Sequence, residues 1–250
     1  MEAKLYGTVL LKAKVIMNVL LEANGGLTLD EISSKAIIPK PTTFKILKTL
    51  DYIKFVRKDA AGKKYFLGTK MIGYGNKALK GFDIVSLSNP YIKQLSEVTN
   101  ETINLGIEED FKVILLKKID SRQPINLNSR VGGSMELYSS AMGKAILATK
   151  TDEELDQYFS EVQLKPLTDN TVTSINELRQ QIIQIKKDKF ALENQENQDE
   201  VVCIGIAIEK YGKLFGAISI SIPEYRLNNF KLADLEKLII SVKNKITKAI

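Results

Sequence analysis

The chain has 250 residues, with 36 Lys and Arg against 30 Asp and Glu, one cysteine and no histidine. A single cysteine leaves no internal disulfide and points to a reducing compartment, and the missing histidine excludes a zinc finger and His-dependent acid-base or triad catalysis. The charge is uneven: residues 1–80 carry a net of +9 and residues 81–250 a net of −3, the footprint of a nucleic-acid-binding head joined to a body with another task.

In chain order, Thr8 to Leu21 places Val9, Ile16, Val19 and Leu20 at helical spacing, closed by Gly25 and Gly26. The apolar run Val15 to Leu21 is far shorter than a membrane span of about 20 residues. Broken by Asn18 and followed by Glu22, it reads as a core-facing helix rather than a signal peptide, and the chain is expected to be soluble and cytoplasmic. Thr28 and Glu31 form a capping box for a short helix, Leu29 to Ala36. Ile37, Ile38 and Pro39 then turn the chain, and Pro41 suits the first position of a new helix. There Ile46, Leu47, Leu50 and Ile53 make the core stripe, while Pro41, Phe44, Lys45 and Lys48 fall on the opposite side. Lysine beside an outward phenylalanine suits the major groove, where ammonium groups reach guanine or phosphate and an apolar ring touches a thymine methyl. Phe55 to Arg57 and Lys64 to Leu67 read as a hairpin around the turn Asp59-Ala60-Ala61-Gly62. Arg57, Lys58, Lys63 and Lys64 near its tip suit the sugar-phosphate backbone. Residues 1–68 therefore read as a winged helix-turn-helix.

Residues 69–88, with a partly helical pattern and several glycines, read as a linker helix. The body, 89–250, opens at Asn89-Pro90 with a helix to about Thr99. Strands are expected at Ile103 to Ile107, Lys112 to Ile119 and Ile125 to Ser129, then a helix from Ser140 to Thr149. Capping boxes at Thr151 and Ser174 open two more helices. Val201 to Glu209 and Leu214 to Ile222 form an apolar hairpin through Tyr211-Gly212, and Phe230 to Ile250 a final amphipathic helix. Strand pairs interrupted by helices indicate an α+β body around a mostly antiparallel sheet.

Local motifs for other chemistry fail. Gly143-Lys144 lacks the upstream Gly and the following Ser or Thr of a phosphate loop. Ser140 and Lys144 miss the offset of a Ser-x-x-Lys nucleophile. The segment Glu193 to Glu200 has no calcium-loop spacing, and its polarity reads either as a solvated loop or as a pocket lid. No metal or cofactor is expected.

Taken together, the segments resemble the IclR family of bacterial transcription regulators. Pro39-Lys-Pro-Thr-Thr-Phe-Lys-Ile-Leu47 stands where the family has P-[KR]-S-T-[TV]-[HY]-R-L-L. Ser140-Ala-Met-Gly-Lys-Ala-Ile-Leu-Ala148 resembles its A-x-G-K-A-x-L-A segment. Phe190 to Glu196 followed by Val202 to Ile208 resembles its acidic loop and strand, and Ala217-Ile-Ser-Ile-Ser221 the strand that closes its effector pocket. The similarity runs from about Leu5 to the end of the chain.

The resemblance implies a ligand-responsive DNA-binding regulator, a repressor, that works as a homodimer or dimer of dimers on double-stranded operator DNA. Its GAF-like effector domain would bind a small organic or sugar-derived acid. The DNA-binding set would be Lys40, Pro41, Thr42, Thr43, Phe44, Lys45 and Lys48 with wing residues Arg57, Lys58, Lys63 and Lys64. The effector pocket would be lined by Leu127, Met135, Ser140, Ala141 and Met142 on one side and by Glu193, Val201, Cys203, Ser219 and Ser221 on the other. Ser219 and Ser221 alternate onto one strand face, and the Ala141 to Gly143 amides lie at a helix N-terminus, ready for a carboxylate. Met142 replaces the family's usual Gly or Ala and narrows that pocket; Glu193 replaces Asp, Tyr138 a common His, Pro41 a Ser cap and Phe44 a His. Two other classes stay open, a metabolite-processing enzyme with a nucleic-acid-binding head and a nonspecific nucleic-acid-binding protein.

Overall fold

The computed structural model describes residues 6–123 and 129–250. The expected strand at Ile125 to Ser129 and the expected pocket residue Leu127 therefore fall wholly or mainly outside the described residues. Two compact units divide between Gly81 and Phe82, inside the segment 69–88 that reads as a linker.

The first unit runs α1 (Val9–Glu22), β1 (Leu27–Thr28), α2 (Leu29–Ala36), α3 (Lys40–Tyr52), β2 (Val56–Lys58), β3 (Lys64–Leu67) and α4 (Lys70–Leu79), with an antiparallel sheet in the order β1-β3-β2. Both halves of the Thr28 capping box are made: the Thr28 amide donates to Glu31 Oε2 at 2.7 Å and the Glu31 amide to Thr28 Oγ1 at 3.3 Å. Ile16, Leu20, Ile32, Ile46, Leu47, Leu50, Val56 and Tyr65 form one core that fixes α3 against the helices and the wing. Ile53 departs from the expected stripe and is 42% exposed. The cause is local: α3 ends at Tyr52, Ile53 is its cap, and Lys54 takes a left-handed conformation at φ 65°, so the helical periodicity that would bury Ile53 stops one residue early.

The second unit runs α5 (Asp83–Thr99), β4 (Thr102–Glu109), β5 (Lys112–Ile119), β6 (Ser134–Glu136), α6 (Ala141–Leu147), α7 (Asp152–Glu161), α8 (Ile175–Asp188), β7 (Ala191–Asn194), β8 (Val201–Lys210), β9 (Lys213–Pro223), α9 (Glu224–Leu227) and α10 (Leu232–Ala249). Helix α5 does not open at Asn89-Pro90. It begins at Asp83 and carries Pro90 inside, because Ile84, Ser88, Ile92 and Leu95 form one buried stripe across the proline and packing outweighs the one helical hydrogen bond that proline removes. The Thr151 capping box is complete, whereas at Ser174 only the serine half is made, the Glu177 amide donating to Ser174 Oγ at 3.4 Å.

The sheet of this unit has the order β6-β5-β4-β9-β8-β7, antiparallel throughout. The register assigns its two faces. Lys117, Leu105, Ile218 and Ile206 lie opposite one another across β5, β4, β9 and β8, and Lys117 Nζ donates to Asn89 Oδ1 of α5, so this isoleucine-rich face is the one covered by α5 and α10. The other face meets α6. A Cβ at Gly205 would lie 2.5 Å from the Ala141 carbonyl carbon and one at Gly143 2.3 Å from Leu137 Cα, so Gly205 lets α6 sit directly on β8 and Gly143 lets it close on the backbone just after β6. Part of this second face is a dry core: Val113, Leu115 and Ala217 pack with Met142, Ile146, Leu155, Tyr158, Leu178 and Ile182 from the α6–α8 layer.

Because the obstruction at Gly205 is backbone rather than a flexible side chain, Gly205→Ala is expected to displace α6 and lower stability by about 1–3 kcal/mol, the usual range for overpacking. Urea unfolding followed by circular dichroism reads this as a lower midpoint at unchanged slope; an unchanged midpoint contradicts the tight α6–β8 contact.

Candidate DNA interface and effector site

In the head, α3 presents Pro41, Phe44, Lys45 and Lys48 to solvent, and the Phe44 ring is 45% exposed. Thr42 is half-buried. Thr43, named as a DNA contact from the sequence, is wholly buried, and its hydroxyl donates to the Ile38 carbonyl at 3.1 Å and lies 3.3 Å from that of Pro39. It ties down the turn before α3 and cannot reach a base. Lys40 is exposed but pairs with Asp30 of α2.

On the wing, Asp59 Oδ1 accepts the amides of Lys63 at 2.8 Å and Lys64 at 3.2 Å. Those amides, Lys64 first, hold the Asp59 carboxyl below its ordinary range. The guanidinium of Arg57 lies 4.5 Å from the Phe66 ring centre and the ammonium of Lys58 5.1 Å from that of Tyr65. Arg57 and Lys58 are neighbours on one strand and so point to opposite faces of the hairpin; all four wing cations are exposed, but they do not share one face.

In the body, the part of the α6-facing sheet surface not taken by the dry core is polar. Register sets Thr102, Ser221, Cys203 and Glu193 across four strands, and beside them Asn104, Ser219 and Gly205. Side-chain hydrogen bonds link these groups. Cys203 Sγ donates to Ser221 Oγ at 3.1 Å, Asn104 Nδ2 donates to Ser221 Oγ at 3.1 Å and to Ser219 Oγ at 3.5 Å, and Ser129 Oγ donates to Asn104 Oδ1 at 3.2 Å. Ser219, Ser221 and Asn104 are each no more than 4% exposed. Buried polar groups of this density are costly unless satisfied or reserved for a ligand.

Glu193 closes the row at its β7 end. It is 1% exposed, and its Oε1 accepts the amides of Glu196 and Asn197. Burial outweighs those amides and holds its carboxyl above the ordinary value. Burial first, then the neighbouring Glu193 charge, pushes the Cys203 thiol well up, so the sulfur acts as a neutral donor. The loop behind is anchored rather than solvated: Lys144 Nζ, wholly buried, pairs with Glu196 Oε1 and donates to Gln181 Oε1 at 2.7 Å, and Thr168 and Thr171 donate to the carbonyls of Gln195 and Glu196, each at 2.6 Å. Burial lowers the Lys144 pKa against the opposing pull of Glu196. Ser139 Oγ donates to Asn197 Oδ1 at 3.2 Å.

Of the effector residues expected from sequence, Glu193, Cys203, Ser219 and Ser221 share this polar surface. Val201 lies on the same face of β8, opposite Pro223. Ala141 has its backbone against Gly205. Ser140 is spent as a cap: its hydroxyl donates to the Glu136 carbonyl at 2.7 Å and accepts the Gly143 amide at 3.1 Å, which also removes that amide from the expected carboxylate cradle. Met142 is 2% exposed within the dry core, and Met135, opposite Val113, packs against the same cluster; both lie with the apolar half. Asn104 was not legible as a site residue, since a lone Asn in an apolar strand carries no motif; only the register of β4 against β9 reveals it.

A carboxyl whose folded pKa is raised adds stability below its unfolded pKa, and that stability is lost as pH rises through the folded value. Glu193→Gln keeps the accepting oxygen but cannot ionise. The variant is expected to match the parent below pH of about 4 and to become progressively the more stable of the two above it, read by urea unfolding across pH; parallel curves would contradict an upward shift of the Glu193 carboxyl.

Comparison with known proteins agrees with this geometry. Residues 9–60 match the IclR helix-turn-helix domain and residues 76–248 the bacterial transcriptional regulator IclR C-terminal domain. The DNA-binding transcriptional repressor YiaJ of Escherichia coli is 30% identical over 222 residues, spanning 87% of this chain and 79% of that protein. The crystal structure of the Thermotoga maritima IclR superposes with a TM-score of 0.79 at 28% identity, covering 97% of this chain and 98% of that one. The fold is shared with an IclR homologue from Microbacterium hydrocarbonoxydans complexed with 4-hydroxybenzoate, at a TM-score of 0.81, 17% identity and coverage of 96% and 98%. The chain belongs to the IclR family of transcription regulators, with an N-terminal helix-turn-helix domain and a C-terminal effector-type domain.

Proposed function

We propose that the protein is a cytoplasmic transcription repressor that holds operator DNA with α3 and the wing and responds to a small organic or sugar-derived acid bound on the polar face of the β4-β9-β8-β7 sheet. The observation that carries the reading is that buried row, in which Asn104, Ser219, Ser221, Cys203 and Glu193 stand side by side at the edge of an otherwise apolar core. A sheet with no ligand to recognise gains nothing from so many polar groups where alanine and valine would pack. The repressor assignment is supported by the name of YiaJ, and the acid by the 4-hydroxybenzoate complex of the Microbacterium homologue. Among the described residues no helix is long and apolar enough to cross a membrane, and no group of His, Cys, Asp and Glu could hold a metal ion.

On DNA, the exposed Phe44, Lys45 and Lys48 read the major groove, Pro41 and Thr42 approach at the helix N-terminus, and Lys63, Lys64, Arg57 and Lys58 hold phosphates. A two-fold dimer sets two such helices about 34 Å apart, on half-sites one turn of the duplex apart or a multiple of that. The effector acts by binding one dimer arrangement more tightly than another, since a ligand with equal affinity for both shifts nothing.

Lys45→Ala is expected to cost about 1–3 kcal/mol on the specific site and to relax base preference, whereas Lys63→Ala weakens all sequences alike and lowers the salt slope by about 1. Fluorescence anisotropy over a salt series distinguishes them, and equal losses on specific and random DNA for Lys45→Ala contradict its reading role. The double variant Ser219→Ala, Ser221→Ala is expected to keep operator affinity and lose the response to acid in a gel-shift titration. A preserved response removes the polar face from the mechanism.

A further inference from the structure

Strand β7 is too short to cover the whole of its neighbour. It ends at Ala191, opposite Gly205, whereas β8 runs on to Lys210. The Val201 carbonyl accepts the Gln195 amide on the β7 side, and alternate residues of an antiparallel strand bond to opposite neighbours, so Ala207 and Glu209 direct their backbone N–H and C=O groups away from β9. The irregularity near Glu209 leaves this alternation intact, because the extra residue, Phe215, lies on β9. Among the described residues no strand lies beyond that edge. A groove of about 510 Å³ adjoins it instead, with Ala148 and Ile185 on the α6–α8 side, Ile240 on the α10 side and Ala207 and Glu209 between them. Lys189 and Lys243, one from each side, also line it. Neither ammonium has a hydrogen-bond or ion-pair partner among the described residues.

We propose that this edge takes up a strand from a partner protein, an extended acidic segment that pairs with Ala207 and Glu209 between α10 and the α6–α8 layer. Strand addition draws affinity from main-chain hydrogen bonds and specificity from pockets for alternate side chains. Here the alternate pockets are apolar, towards Ile185 on one side and Ile240 on the other, and carboxylates flanking the apolar residues meet Lys189 and Lys243. Charge selects the partner. Lys186, Lys189 and Lys243 line the groove against one acid, Glu209, and Lys186 is engaged by the Lys150 carbonyl at 3.1 Å, which leaves the other two for an incoming anion. A second copy of this chain docking through the same edge brings its own Lys189 and Lys243 to it, and like charges so juxtaposed oppose association. Sheets commonly block an unpaired edge with proline or with charged residues on the strand; Ala207, at the centre of this one, is neither. The edge is distinct from the polar row, so the proposal does not depend on the effector reading.

The test is fluorescence anisotropy of the full chain with a labelled peptide, Glu-Glu-Val-Val-Val-Glu-Glu, beside its counterpart with lysine in place of glutamate and beside the acidic peptide N-methylated at all three valines. The parent is expected to bind the acidic peptide about tenfold or more tightly than either of the others, as main-chain pairing and charge-assisted contacts require. Ala207→Pro removes only an outward-facing N–H, a change that edge strands tolerate, and the double variant Lys189→Glu, Lys243→Glu reverses the charge on both sides of the groove. Each is expected to weaken the acidic peptide about tenfold or more with the circular dichroism of the parent. The N-methylated peptide probes the same hydrogen bonds on the unaltered chain, so the test holds even where the proline variant fails to fold. Equal binding of the methylated peptide excludes strand addition. Undiminished binding to the charge-reversed chain puts the peptide elsewhere, such as on the basic head, and overturns the proposal, as does no binding of the acidic peptide to the parent. If Ala207→Pro lowers the sedimentation coefficient of the chain alone, a second copy occupies the edge and the acidic partner is wrong.

Discussion

The buried pair between Lys144 on α6 and Glu196 after β7 ties the α6–α8 layer of the second unit to the loop that follows β7. Lys144 is wholly inaccessible, with Gln181 of α8 as its other partner, so one ammonium joins two helices and a loop that are distant in sequence. Removing two charges from water is expensive and often no more stabilising than an apolar core would be, but losing one partner of such a pair costs about 3–5 kcal/mol. Its value lies in what it positions. The loop held by Glu196 supplies the two amides that Glu193 accepts, and these aim the Glu193 carboxyl along the polar row. Glu196 Oε2 is buried without a hydrogen-bond partner, so an incompletely satisfied carboxylate lies just behind the polar row.

A second constraint is side-chain size along the sheet. Towards the α6–α8 layer, β9 presents Ala217, Ser219 and Ser221 in turn, and β8 presents Ala207, Gly205 and Cys203. Small residues at Ala217 and Gly205 let α6 descend onto the strands, and the residues beyond are polar. One sheet face thereby carries both an apolar core and a buried polar surface, and the boundary falls at the N-terminal end of α6, where Ala141 meets Gly205. The head divides its labour in a similar way: Thr43 is spent on the turn before α3, while Phe44, Lys45 and Lys48, one step round the helix, are left outside.

What was legible in the sequence is what depends on near neighbours. The Thr28 and Thr151 boxes, the Tyr211-Gly212 hairpin, the wing and the apolar stripe of α10 all follow from residues within a few positions of each other, and the charge split separated head from body. Family motifs brought Cys203, Ser219 and Ser221 together, and register places them on one face. The misreadings share a cause. Pro90 looked like a helix start because a proline signal is local, whereas the packing that overrides it comes from the sheet. Ile53 looked buried because periodicity does not show where a helix stops. Ser140 looked free because its cap bonds are visible only in three dimensions. Glu196 was legible only as part of an acidic segment and Asn104 carried no signal, since their partners lie 52 and 117 positions away.

The central claim is that the polar face of the sheet is where this regulator meets its ligand. Hydrogen exchange of the full chain, with and without an acid that binds it, tests this most directly. Increased protection confined to β4, β9 and the 193–197 loop is the result the account predicts, since those backbones carry the row and its anchor. Protection that leaves these segments unchanged and appears instead elsewhere in the chain would contradict it.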